Sequence, residues 1–377
     1  MGADVQVVGA GPAGLMCADV LSAAGLNVRI IDHKRQPARK FLMAGRGGLN
    51  LTHSEPLEKF VTRYGPAQSF LEPIIRAVPP TALISWCEDL GIEVFEGSSG
   101  RLFPKVMKAS PLLRALLQRL ASRGVILETQ TPWQGFDATP TIFAMGGASW
   151  PELGSDAQWV SAFRAAGIEV SAFQPSNCRV IIPWTRHFIT LFQGQPLKNI
   201  ALRYASTQSK GELIISREGL EGGAIYHLSR AMREQPGRDL HIDLKPSLNG
   251  DAIAMRLAQP RQKMSEANFL RKALGLTPAA IGLLREVGQK INAHQIKDLT
   301  LKPQGLAGLQ RAISSAGGVA LAECDGHCQL RKMPMHYCVG EMLDWDAPTG
   351  GYLLQACFST AVVAARHLAQ ILVKSRP

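Results

Sequence analysis

The chain has 377 residues, 46% of them hydrophobic, and a formal net charge of +11. That length allows two domains with full cores, and the composition, free of low-complexity tracts, excludes a disordered or collagenous protein. Seven dispersed cysteines, an odd number in a chain without export features, argue against a disulfide framework. The N-terminus lacks a signal-peptide pattern and no apolar run approaches the ~20 residues of a membrane span, so a cytoplasmic protein without membrane contact is expected.

Val5 to Val8 reads as a strand, and Gly9-Ala10-Gly11-Pro12-Ala13-Gly14 follows it directly. Leu15 to Ala24 reads as a helix of small and apolar residues, and Val28 to Ile31 as a second strand ending at Asp32. Strand, glycine turn, helix, strand and acid in this register predict a dinucleotide site. Gly9 serves the tight turn, Gly11 the approach of backbone to pyrophosphate, and Gly14 the packing of helix on strand. An acid at position 32 suits the free hydroxyls of an adenosine ribose, which points to FAD or NAD rather than NADP.

The stretch Arg39 to His53 is rich in glycine, with Gly45, Gly47 and Gly48 beside Arg46, Asn50 and Thr52. Successive free amides of this kind form an anion cradle. Helical signals follow over 56–91, with short strands at Ile92–Phe95 and Arg101–Phe103, a helix over Ala109–Arg123 and a strand over Val125–Thr129. Thr131 to Trp133, just beyond that strand, is placed to meet adenine. Thr141 to Phe143 reads as a buried strand leading to Gly146-Gly147, and Asp156–Ala166 as a helix.

From Pro175 the pattern becomes alternating, at Cys178–Trp184, Ile200–Tyr204, Glu212–Ser216 and Asp239–Leu244, followed by two or three short helices over 249–298. This block reads as an insertion that shapes a substrate pocket. Residues 175–305 hold 19 Lys and Arg against 10 Asp and Glu. That bias suits nucleic acid, an anionic substrate or simply a solvated basic surface. Cys324-Asp325-Gly326-His327-Cys328, with His336 and Cys338 beyond, has one Cys-x3-Cys and no second matched pair, so buried hairpin cysteines are expected rather than a metal site. Tyr337–Glu341 reads as a strand stopping on an acid, and Thr349-Gly350-Gly351-Tyr352 opens a long final helix. The positive end of such a helix suits the charge on a reduced flavin, which makes FAD the expected dinucleotide.

The chain resembles the BaiN/YhiN-like bacterial flavoproteins, FAD-dependent oxidoreductases of the glutathione-reductase-type fold. The likeness rests on Gly9–Gly14, Lys40–His53, Arg217–Ser229 and most clearly Gly340–Gln355. It implies an α/β Rossmann-like FAD-binding domain, residues 1–174 and 306–377, with an inserted β-barrel plus helical domain at 175–305. It also implies a cofactor site made of Gly9, Gly11, Pro12, Ala13, Gly14, Asp32, His33, Lys40, Gly45, Arg46, Gly47, Gly48, Asn50, Trp133, Gly146, Gly147, Gly340, Glu341, Gly350, Gly351, Tyr352 and Leu353. Within that set Glu341 would bind a ribityl hydroxyl. Gly45-Arg46-Gly47-Gly48-Leu49-Asn50 departs from the Gly-Gly-Gly-Arg-Cys-Asn of most relatives, Met145 stands where many have threonine, and Glu221 stands where many have serine.

The expected reaction passes a hydride from NADH or NADPH through the flavin to an unsaturated or carbonyl small molecule. Candidate proton donors are Tyr352, His227, Tyr226 and His53. Two alternatives stand beside it: a flavoprotein that modifies or associates with RNA, and a flavin-bound scaffold without catalysis.

Overall fold

Val5, Val7 and Val8 are buried on the two faces of the first strand, which therefore needs cover on both sides, as a central strand of a parallel sheet has. The computed structural model describes residues 3–288 and 290–374, and separates them into two units, 1–174 with 313–377, and 175–312.

In chain order the first unit contains β1 (Val5–Val8), α1 (Pro12–Ala23), β2 (Val28–Asp32), α2 (Arg39–Ala44), β3 (Thr52–His53), α3 (Gln68–Ala77), β4 (Val94–Glu96), β5 (Arg101–Pro104), α4 (Ala109–Ser122), β6 (Ile126–Thr129) and β7 (Thr141–Phe143). Next comes β8 (Val170–Ser176), which crosses into the second unit. That unit continues with β9 (Val180–Ile181), β10 (Pro196–Tyr204), β11 (Thr207–Ser216), β12 (Gly219–Glu221), β13 (Leu240–Asp243), β14 (Leu299–Leu301) and β15 (Gly305–Leu306). The chain returns with β16 (Ser314–Val319), β17 (His336–Cys338) and α5 (Tyr352–Lys374).

The main sheet is parallel, in the order β17-β7-β1-β2-β6. A smaller antiparallel sheet, β3-β5-β4, forms beside it, and β8 pairs with β16. α1 packs along α5 and against α4. Its one buried charge, Asp19, is met from three directions: Trp86 Nε1 donates at 2.8 Å, Arg123 at 2.8 Å, and Arg119 lies at 3.4 Å. A carboxylate buried against an apolar helix is tolerated because these donors replace its water.

The final helix has the length and apolarity of a membrane span, with a mean hydropathy of 1.5 over its best window. Packing explains the apolarity: α5 runs between α1 and α3 and is buried along most of its length. Its polar residues bond inside the unit, Gln355 and Ser359 to the Val78 carbonyl and Thr360 to the Ala356 carbonyl and the Gly340 amide.

The second unit is built on an antiparallel sheet in the order β14-β13-β10-β11-β12-β9-β15. No ladder joins β14 to β15 among the described residues. The connection from Leu301 to Gly305 nevertheless reaches only about 14 Å, whereas a flat sheet of this width would separate its edges by about 29 Å. The sheet is therefore curled into a barrel whose seam is closed by chain rather than by hydrogen bonds. Four helices, not two or three, follow β13: Gly250–Leu257, Glu266–Leu274, Pro278–Glu286 and Ala293–Lys297. The unit begins at Pro175, where the sequence changes texture, and ends at Ala312 rather than 305, because β15 pairs with β9. The helix expected over Asp156–Ala166 shortens to Val160–Ala165.

Asp19→Asn keeps the size of the side chain and removes the charge that three donors share. It is expected to lower the unfolding free energy by about 1–3 kcal/mol; an unchanged urea midpoint would show that the cluster contributes nothing.

Candidate cofactor site

The first unit holds a cavity of about 890 Å³, the size of a cofactor site. Val8 and Gly9 at the end of β1, and Ala144 and Met145 just past β7, form part of its wall. On one side of β1 lie β2 and β6, on the other β7 and β17, so the strand order reverses here. Connections leaving two such neighbours part in opposite directions and open a crevice at the carboxyl ends of the strands.

The glycines of the first turn do different work. A side chain on Gly9, whose φ is +103°, would strike the Ala144 carbonyl, and one on Gly14 would strike the carbonyl of Gly9. Both are packing positions, and Gly14 is not on the cavity wall. Gly11 has φ −77°, a conformation any residue adopts, and a Cβ there would meet nothing within 4 Å. It lines the cavity with Pro12 and Ala13. α1 starts with no side-chain cap and no acid in its first turn, so its leading amides are left for an anion such as pyrophosphate.

Asp32 and His33 lie on the same wall. Asp32 Oδ2 accepts from the Ala10 amide at 2.7 Å and Oδ1 from the Lys34 amide at 2.8 Å. The carboxylate thus clamps the glycine turn, and each oxygen keeps a second acceptor position for a ribose hydroxyl. His33 Nε2 is 3.4 Å from Asp156. Ser155 Oγ, on this wall, is buried without a hydrogen-bond partner. A buried hydroxyl in that state is uncommon, and a ligand oxygen would satisfy it. Trp133, Gly146 and Trp150 complete this region. Trp150, Ala38 and Met107, all on the wall, take φ values of +60°, +54° and +58°, which non-glycine residues rarely adopt.

In the middle of the wall stand Lys40 from α2 and Glu341 just past β17. Lys40 Nζ lies 2.5 Å from Glu341 Oε2 and donates to Ser149 Oγ at 2.5 Å, while the Ser315 amide donates to Glu341 Oε1 at 3.0 Å. Further along come Gly47, Gly48 and Asn50, then Gly350, Gly351 and Leu353 at the start of α5. With its amide oriented to satisfy both neighbours, Asn50 donates to the Thr52 carbonyl at 3.0 Å and accepts from the Gly351 amide at 3.2 Å. Gly351 itself cannot carry a side chain, because it would run into Thr52.

Gly45, Gly147 and Gly340 are off the wall. A Cβ on Gly45 would press on Ala109, one on Gly147 would meet Ser315, and one on Gly340 would crowd Ala13. These glycines let the loops pack. The Arg46 side chain lies outside the described residues. Ser155 and Arg101 are wall residues that the sequence reading passed over. Ser155 lay in a stretch read as leading away to a helix, and Arg101 in a short strand without a motif.

Of the candidate proton donors, Tyr352 and His53 come together and are off the wall. Their rings stack at 5.5 Å with planes 16° apart. Tyr352 Oη donates to Glu55 Oε1 at 2.5 Å, and Arg63 holds Glu55 through two hydrogen bonds of 2.9 and 2.7 Å. Burial pushes the Tyr352 phenol well up, and its bond to the Glu55 carboxylate adds to this, so its proton is firmly held. Burial also pushes the Glu55 carboxyl up, but Arg63 and Tyr352 outweigh it and hold the group below its ordinary value. His53 is pushed down by burial. Tyr226 and His227 belong to the second unit, at the short helix Gly223–Tyr226; burial raises the Tyr226 phenol.

Two expectations follow. Gly11→Val is expected to fold normally and to lose bound FAD roughly tenfold or more, because its side chain fills the space over the first amides of α1; the flavin-to-protein absorbance ratio after gel filtration measures this, and full retention would contradict it. The second concerns acid. The folded state resists protonation of His53, while the unfolded chain accepts that proton at about 6.5, so stability falls as pH drops below 6.5. Glu55 adds stability above about 4.5 that is lost below it. Urea midpoints at pH 7 and pH 5 are expected to differ less in His53→Gln than in the parent protein.

The family described as HI0933-like protein Rossmann domain matches residues 3–367. The chain is 26% identical to a ribosomal RNA dihydrouridine synthase of Escherichia coli (strain K12), over 97% of this chain and 98% of the relative. It is 22% identical to a 3-dehydro-bile acid delta(4,6)-reductase of Clostridium scindens, over 97% and 99%. Among solved structures, a 3-ketosteroid-delta4-(5alpha)-dehydrogenase from Rhodococcus jostii RHA1 superposes with a TM-score of 0.53 at 14% identity, covering 97% of this chain and 96% of that one, which speaks for the fold alone. The chain belongs to the HI0933-like Rossmann family, and it is a FAD-dependent oxidoreductase.

Proposed function

We propose that the protein saturates a carbon–carbon double bond conjugated with a carbonyl group, using electrons from NADH or NADPH. The observation that carries this reading is the positive end of the cavity. The 23-residue helix α5 starts there with no acid in its first turn. Its field favours a ring that gains electrons and an oxygen that gains charge. Bound FAD would supply hydride from N5. The chain's part is to hold the pyrophosphate on α1, the adenosine ribose at Asp32 and Ser155, the ribityl chain near Lys40 and Glu341, and the pyrimidine edge at Gly351–Leu353.

The names of two relatives support the reaction class, since each describes adding hydrogen across such a bond, in a 3-oxo steroid or in the uracil ring. A small enone is the substrate of this reading. A second reading puts the bond in a pyrimidine of RNA, and charge favours it: residues 175–312 carry 20 Lys and Arg against 10 Asp and Glu, leaving 21 against 20 in the rest of the chain.

Anaerobic addition of NADH or NADPH is expected to bleach the flavin absorbance, and 2-cyclohexen-1-one to restore it. A spectrum indifferent to both nucleotides would remove the donor assignment. Restoration by unmodified ribosomal RNA and not by the enone, with retention on RNA that weakens steeply with salt, would move the substrate to the second reading.

A further inference from the structure

Among the described residues, Lys34, Arg39, Lys40 and Arg101 are the lysines and arginines on the cavity wall. The first three follow β2 within eight residues of Asp32, and two of them are engaged, Lys40 with Glu341 and Arg39 with the Glu152 carbonyl. Arg101 comes from a different part of the fold. It opens β5, the middle strand of the small sheet, where it pairs in register with His53. No carboxylate pairs with it among the described residues, and its side chain is exposed. A Cβ on Gly350 would lie 3.9 Å from Arg101 Nε, so the guanidinium stem runs past the glycine that precedes α5. The small sheet thus carries an unneutralised cation to the end of the cavity where the α5 dipole is also positive.

We infer that Arg101 binds the carbonyl oxygen of the substrate. The inference rests on the reaction class proposed above and names a residue for its oxygen. The buried amides at the start of α5 would face the ring of bound FAD, whereas the guanidinium of Arg101 on the wall is exposed and open to a ligand that comes and goes. In the reaction a hydride carrying two electrons forms a bond to the β-carbon. The π pair shifts toward the α-carbon and charge collects on the carbonyl oxygen as an enolate. A proton from water then completes the C–H bond at the α-carbon, so the substrate gains two electrons and two protons while the reduced flavin is oxidised. A guanidinium beside that oxygen stabilises the enolate more than the neutral ketone, which lowers the barrier. Arginine suits the position because it stays charged at the mouth and offers its donors in a planar fork.

The test uses the FAD-loaded protein and 4-chlorophenol, whose phenolate is a planar, stable mimic of an enolate. Binding is followed by the change in flavin absorbance at equilibrium. Arg101→Gln is expected to weaken phenolate binding by roughly 10- to 100-fold, and Arg101→Lys to recover part of the loss. FAD content is expected to stay at the parent value. Equal phenolate affinity in Arg101→Gln and parent would overturn the assignment, as would a parent protein that binds no phenolate. A shifted midpoint potential with unchanged phenolate affinity would place Arg101 on the flavin and overturn it too. Failure of the reaction class is read separately, in the bleaching and reoxidation of the parent protein.

Discussion

A single carboxylate, that of Glu341, gathers three stretches of chain that are far apart in sequence. Lys40 comes from α2, Ser149 from the segment beyond β7, and the Ser315 amide from β16. The contact with Lys40 closes a loop that includes the whole insertion, and both side chains are mostly shielded from water. Shielding strengthens the attraction and makes the loss of either partner expensive, because the survivor is left as a desolvated charge. The middle of the cavity wall exists because this knot holds the first and last segments of the first unit in register. The glycines around it, Gly147 and Gly340, are small so that the strands and loops can come close enough to tie it.

Much of this was legible in the sequence, and the reasons differ by element. β1, α1 and β2 were legible because each obeys a local rule: paired apolar faces, a turn whose Gly9 and Gly14 leave no room for a side chain, an acid at the strand's end. In the insertion β9, β10, β11 and β13 were legible from alternation, whereas β12, β14 and β15, of two or three residues each, were not. Ser155 was not, since a serine in a loop carries no periodic signal and its significance lies in lacking a partner once folded. Arg101 was not, because its environment is assembled from β5 and the start of α5, about 250 residues apart in the chain. Asn50 and Tyr352 were expected at the cofactor. Asn50 lines the cavity with its amide engaged by Gly351 and Thr52, whereas Tyr352 is off the wall and bonded to Glu55.

The cavity distinguishes two uses of small residues. Gly9, Gly14 and Gly45 are filled in by neighbouring protein, so their role ends with packing; Gly11 and Gly47 face open space, so their role begins where the protein stops. The same division holds for charge. Asp32 and Glu341 spend their oxygens largely on backbone amides and lysine, which fixes the loops, while the unpaired polarity is concentrated at Ser155, the two helix starts and Arg101. A dinucleotide bound along this wall meets preformed donors without having to break an existing network.

The pairing of β8 with β16 means that the chain leaves for the second unit and returns from it on neighbouring strands. The order of synthesis then acquires a physical meaning. α1 is made early relative to α5, the helix that packs along it, which follows more than 300 residues later. At about 5–20 residues per second, roughly 20–70 s separate the two on the ribosome. Through that interval the apolar flank of α1 has no permanent cover, while the second unit has all its strands and can settle first. The first unit is therefore completed only after the second has been made.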